Sequence, residues 1–95
     1  MRVQWSARAL DERRAIFHFM RPDSPRGAEL VDQRISDQVQ VLARFPFLGR
    51  LGKLPGTREL VIHETPFVIS YRIVGDVIRI LRILHSSRRW PWGSN

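Results

Sequence analysis

The chain contains no cysteine. That excludes disulfides, thiolate metal sites and a cysteine nucleophile, and it fits a reducing compartment. Lysine is nearly missing too: Lys53 stands alone, and the other members of the 16-strong Lys and Arg set are arginines. No apolar run approaches the roughly 18 residues of a membrane span. The opening MRVQWSARAL has no apolar signal-peptide core. A soluble, cytoplasmic protein without membrane contact is therefore expected. Internal repeats and low-complexity tracts are also missing, no His/Asp/Glu spacing suggests a metal site, and no motif calls for a cofactor.

What remains is compact and basic. At 95 residues a second core could not be buried, so residues 1–95 form one domain. Apolar residues at 43% suffice for a modest core and argue against disorder throughout. Sixteen cations against nine carboxylates give a formal charge of +7. Arginine's planar fork suits bidentate contact with phosphate or carboxylate and is less costly to bury than lysine. A polyanionic partner follows, either nucleic acid or an acidic protein segment, and charge alone does not separate the two.

The opening RVQW reads as a short strand, with Ser6 placed to cap a helix from about Ala7 to Met20. Ala9, Ile16, Phe19 and Met20 form its apolar stripe, which Glu12 and Arg13 interrupt. RPDSPRG breaks the chain, and Ser24-Pro25 opens a longer helix to about Arg44. Ala28, Val31, Ile35, Val39 and Leu42 share one face of it, so two antiparallel helices joined by a short turn are expected. Residues 45–57, FPFLGRLGKLPGT, must be a loop. Strands follow at 58–63, 67–74 and 77–84, the last two joined by a hairpin at Gly75-Asp76. The order is that of an α+β domain.

With Gly75 and Asp76 as the loop, Arg72 lies opposite Arg79 and Ser70 opposite Leu81. Strict alternation then gives one face Phe67, Ile69, Tyr71, Ile73, Ile78, Ile80, Arg82 and Leu84, which should pack on the helices. The other face carries Val68, Ser70, Arg72, Arg79, Ile83 and His85 and is the expected working surface. Arg82 does not fit the helix side unless it reaches an edge or pairs with a helix carboxylate such as Glu12.

Several segments together resemble a known family. These are the strand ending in Trp5-Ser6, the pattern A-L-D-E-x-x-x-I-x-x-F-M from Ala9 to Met20, and P-x-x-G-R-L from Pro46 to Leu51. To them are added G-T-R-E-L from Gly56 to Leu60, F-V-I-S-Y-R-I, and I-x-I-L-R-I-L-H-S-S-R-R-W-P. From about Val3 to Pro91 the chain is similar to the RelE/ParE superfamily, toxins of bacterial type II toxin-antitoxin modules. The resemblance implies a helical hairpin packed on a small antiparallel sheet in the order β-α-α-β-β-β. It also implies a cognate antitoxin of the ParD or RelB kind, a small acidic-tailed chain forming a hetero-oligomer with the toxin.

Two mechanisms divide that superfamily. RelE-like members are ribosome-dependent endoribonucleases acting on mRNA; ParE-like members inhibit DNA gyrase by binding. The nucleases need basic side chains and an acid or base converging on one sheet face. Many carry an arginine three residues before the tyrosine of the central strand, where this chain has Val68 before Tyr71. His85 is the one candidate for their catalytic group near the last strand, and the H-S-S-R-R-W-P ending resembles ParE-like members. The balance favours growth arrest through gyrase over enzymatic cleavage.

Arg58, Arg72, Arg79, Arg88, Arg89 and Trp90 are the expected contacts to target or antitoxin. Against that, the arginines would merely solubilise the sheet and pair with Glu59 or Asp76, and Trp90 would fold over a sheet edge. His18 and His63 read as surface histidines, Arg50 and Lys53 as solvated loop cations, and Trp5 as core.

Overall fold

The computed structural model describes residues 1–86. Strand β1 (Arg2–Trp5) leads into helix α1 (Ala7–Met20), then helix α2 (Pro25–Val41). Strands β2 (Arg50–Leu51), β3 (Arg58–Val61), β4 (Phe67–Val74) and β5 (Val77–His85) follow. The sheet order is β1-β5-β4-β3-β2. The expected α+β architecture is the one the chain forms, with two additions. A two-residue strand, β2, forms inside the Gly/Pro-rich segment and pairs with Arg58 and Glu59. Strand β1 joins the other edge, parallel to β5, with Trp5 opposite Ile80.

Both helices begin at the serines chosen for them. The Ser6 hydroxyl accepts from the Ala9 N–H at 3.0 Å, and the Ser24 hydroxyl from the Gly27 N–H at 3.0 Å, with Pro25 in the first turn. All five predicted α2 positions, Ala28, Val31, Ile35, Val39 and Leu42, are buried. Helix α1 departs from expectation: Phe19 is 62% exposed, whereas Glu12, which seemed to break the stripe, is 3% exposed. A bidentate pair from Arg13 to Asp32, 2.6 and 3.0 Å, ties the helices together. Their apolar faces lie on Leu60, Ile62, Ile69, Tyr71, Ile78, Ile80 and Ile83 of the sheet.

The inclusion of Ile83 in that core corrects the strict alternation drawn from the hairpin. Pairing runs in register from Val74↔Val77 to Tyr71↔Ile80, then shifts so that Ser70 lies opposite Arg82 and Ile69 opposite Ile83. Leu81 is the extra residue of a β-bulge. Beyond it, every side chain of β5 changes face: Ile83 turns to the helices, while Arg82 and Leu84 leave the helix side. His85 joins Phe67 on the core side and leaves the face of Arg72 and Arg79.

The bulge sits where β1 ends. Ser6 turns the chain from strand to helix: its N–H donates to Ile80 O at 2.9 Å and its hydroxyl to Leu81 O at 3.1 Å. One turn further on, Glu12 serves the open edge of β5. Its Oε1 accepts the Ile83 N–H at 2.9 Å, and its Oε2 takes Arg82 through Nε at 2.9 Å and Nη2 at 2.8 Å. Arg82 thus does both things expected of it, reaching an edge and pairing with Glu12. A carboxylate completes the ladder where the neighbouring strand has run out.

Candidate interaction surface

The face of the sheet opposite the helices is set by three aligned strands. Register places Gln4 of β1 opposite Arg79 of β5, and Arg79 opposite Arg72 of β4, so the three form one row across the sheet. The next row holds Arg2, Val77 and Val74. Arg2, Gln4, Arg72 and Arg79 are all exposed. Like charges directly opposite destabilise a strand pair, so Arg72 facing Arg79 is a local cost with no packing return. Neither makes an ion pair with a carboxylate among the described residues, although six other arginines of the chain do. Arg72 leans across Gly56, donating to Pro55 O at 3.4 Å. The row is a positively charged strip with planar donors aimed at solvent, suited to phosphate or carboxylate.

Arg2 and Gln4 were not foreseen. Their place follows from parallel pairing of β1 with β5, and a four-residue strand carries no register signal of its own; only Arg2's charge hinted at a role. Arg58 was grouped with Arg72 and Arg79, but it stands opposite Tyr71 and so faces the helix side. Its Nη1 donates to Gly49 O at 2.8 Å, and its guanidinium lies 4.9 Å from the Phe47 ring centroid. Arg58 is therefore a clasp on the 45–57 segment and stands off the face that carries Arg72 and Arg79. Arg50, expected to be solvated, pairs with Glu59 at 3.1 Å.

Tyr71 completes the clasp. Its hydroxyl donates to Pro46 O at 2.7 Å and accepts from the Gly49 N–H at 2.9 Å. Burial pushes its pKa above the usual phenol value, opposed by the Gly49 hydrogen bond and the nearby Arg58 charge. Held in this way, the segment presents Phe45, Phe47, Leu48, Leu51 and Leu54, each more than half exposed. Large apolar residues scattered without period through a Gly/Pro-rich stretch were the available signal for that surface.

His85 is half-buried, its ring 5.7 Å from that of Phe67 and nearly perpendicular to it. It lies across the sheet from Arg72 and Arg79. Val68 faces Leu84 on the open side, so an apolar pair occupies the position where the nuclease pattern has an arginine. His18 and His63 are exposed as expected. Arg88, Arg89 and Trp90 lie outside the described residues. Among the described residues no group of His, Asp or Glu has metal-site geometry, and no helix is long and apolar enough to cross a membrane.

Comparison with known proteins agrees with this geometry. The family described as the ParE toxin of the type II toxin-antitoxin system parDE matches residues 3–90. Y4kP of Sinorhizobium fredii (strain NBRC 101917 / NGR234) is 40% identical over 90 residues, covering 95% of this chain and 93% of that protein. Toxin RelE2 of Caulobacter vibrioides (strain ATCC 19089 / CIP 103742 / CB 15) is 35% identical over 86 residues, covering 90% and 96%. A solved structure of the chromosomal ParDE TA system from P. aeruginosa superposes with a TM-score of 0.82 at 31% identity, covering 90% of this chain and 95% of that one. A match along nearly the whole chain, in sequence and in fold, makes this protein a member of the ParE toxin family of type II toxin-antitoxin systems.

Proposed function

We propose that the chain arrests growth by binding and poisoning DNA gyrase, and that a cognate acidic antitoxin of the ParD kind neutralises it in a cytoplasmic hetero-oligomer. The observation that carries this reading is the composition of the open face. It offers a strip of exposed arginines, Arg2, Arg72 and Arg79, while Glu59, which shares that face opposite Ser70, is paired with Arg50. A nuclease must bring a proton acceptor and cationic donors to the same phosphate. Here His85 lies on the other side of the sheet and Val68 replaces a cation. Recognition needs neither, and a protein of charge +7 is steered toward acidic partners and toward DNA-bound assemblies.

The test is a supercoiling assay with purified chain, gyrase, ATP and relaxed plasmid, together with a scan for linear DNA from trapped cleavage complexes. Loss of supercoiling is the expected result. No effect from protein that still arrests growth would reject gyrase as the target. The second reading, a ribosome-dependent endoribonuclease, draws on the relative named RelE2. It requires His85→Ala to abolish mRNA cleavage and toxicity while antitoxin binding persists; toxicity retained in that variant removes it.

A further inference from the structure

Arg2, Gln4, Arg72 and Arg79 stand exposed on the neighbouring strands β1, β5 and β4, and Val74 and Val77 fill the row between Arg2 and the hairpin. Neighbouring strands lie about 4.8 Å apart and alternate residues of one strand about 7 Å apart, so the three arginines leave the backbone within a patch roughly 12 Å across. Arg72 is laid over Gly56, whose φ is +79° and where a methyl would sit 3.7 Å from Arg72 Nε. One of its N–H groups reaches Pro55 O at 3.4 Å, and the others have no acceptor among the described residues. Two carboxylates border the patch. Glu59 is held by Arg50 at 3.1 Å, and Asp76 lies in the turn beyond the Arg2–Val77–Val74 row.

We infer that this patch docks on the phosphate backbone of duplex DNA and does so without reading its sequence. The inference rests on the gyrase reading above and names the duplex on which gyrase acts as the partner of this face. Charge density favours it over an acidic peptide. Each strand of a duplex carries a phosphate for about every 3.4 Å of axis, so about three fall under the patch. An extended peptide turns only alternate side chains to one face, about 7 Å apart, and supplies about two. Arg72 and Arg79 oppose each other at a cost in the free protein, and a phosphate between them accepts from both, which turns the repulsion into attraction. No aromatic side chain shares the face among the described residues, so the stacking by which single-strand binders hold bases is missing. Five strands span about 19 Å, wider than the roughly 12 Å major groove, so the face rests on the backbone and does not reach base edges.

The probe is a fluorescein-labelled duplex of about 20 base pairs, made in two unrelated sequences, titrated with full chain and read by anisotropy between about 50 and 200 mM salt. Saturable binding of both sequences alike is expected, with a log–log salt slope of about −3. R72Q with R79Q should bring that slope to about −1 and weaken low-salt binding by about tenfold or more. R14Q with R26Q removes the same charge from exposed sites on α1 and α2 and should leave affinity within about threefold. In the unaltered chain the Arg2, Gln4, Arg72 and Arg79 amide resonances should shift on titration, a readout that needs no variant to fold. No saturable binding at low salt, tighter binding of the single strand, preference for one sequence, or equal loss in both double variants would overturn the inference. So would the same shifts at equal affinity with a polyglutamate peptide, because the face would then belong to an acidic protein. The supercoiling assay keeps the two questions apart. Duplex binding without gyrase inhibition supports the patch and rejects the target, whereas gyrase inhibition that survives R72Q with R79Q at full potency rejects the patch alone.

Discussion

Glu12 shows how one residue holds several elements in register. Its carboxylate is buried, yet each oxygen meets a donor from β5, so the desolvation of the charge is offset by one backbone and two guanidinium hydrogen bonds. Glu12→Gln keeps the shape and an acceptor for Ile83 but leaves Arg82 without its counter-charge. Arg82 is 30% exposed and regains water, so the loss should be about 2 kcal/mol in urea unfolding, below that of a fully buried pair. Glu12→Ala also orphans the Ile83 N–H and should cost about 3 kcal/mol or more. Tyr71, the only tyrosine, gives a pH signature. A raised folded-state pKa means that the folded protein holds the phenolic proton more tightly than the unfolded chain does. The contribution is therefore fully present below the ordinary phenol value of 10.0 and is lost as pH rises through the higher folded value. Stability should fall on that alkaline limb, and Tyr71→Phe should flatten it while lowering neutral-pH stability by about 2 kcal/mol through the two lost hydrogen bonds.

Among the elements, the helices and the hairpin were legible because each carries a local code. Ser6, Ser24-Pro25, the five-position stripe of α2 and Gly75-Asp76 are short-range signals, and each lies where it was read. The bulge at Leu81 was not legible, because its cause lies outside β5. Ser6 and Glu12 pull the edge of the strand into a second register, and nothing between Ile78 and His85 announces it. The error spread to the candidate site: one unrecognised residue moved His85 to the wrong face. Arg58 was misplaced for a related reason, since its partners Gly49 and Phe47 belong to a segment with no period. Two substitutions test these joints. Ser6→Ala removes both the helix cap and the bond to Leu81 and should lower stability by about 1–2 kcal/mol in thermal or chemical unfolding. Gly49→Ala would put a methyl 2.7 Å from the Tyr71 hydroxyl and 2.8 Å from the Glu59 carbonyl, and should destabilise by about 2 kcal/mol with loss of the clasp.

At the scale of the whole molecule, stability and recognition are separable. The core holds the helices to the sheet on one side, and the arginine strip faces away from it on the other. Arg72→Gln with Arg79→Gln should therefore leave the unfolding midpoint unchanged or slightly raised, because two like charges no longer oppose each other. In the same variant, antitoxin affinity measured by calorimetry should fall by at least about tenfold, and its salt dependence should flatten. Fold retained with binding unchanged would show that the antitoxin does not use this face.

The parallel pairing of β1 with β5 also sets a clock. Residues 2–5 find their sheet partner only at 77–80, and Glu12 finds its partners at 82 and 83. An emerging nascent chain can form both helices early, but its first strand waits for its partner until β5 has cleared the ribosomal tunnel. The arginine face of the sheet is therefore assembled at the end of synthesis, so a polypeptide truncated before β5 should be harmless to the cell that made it.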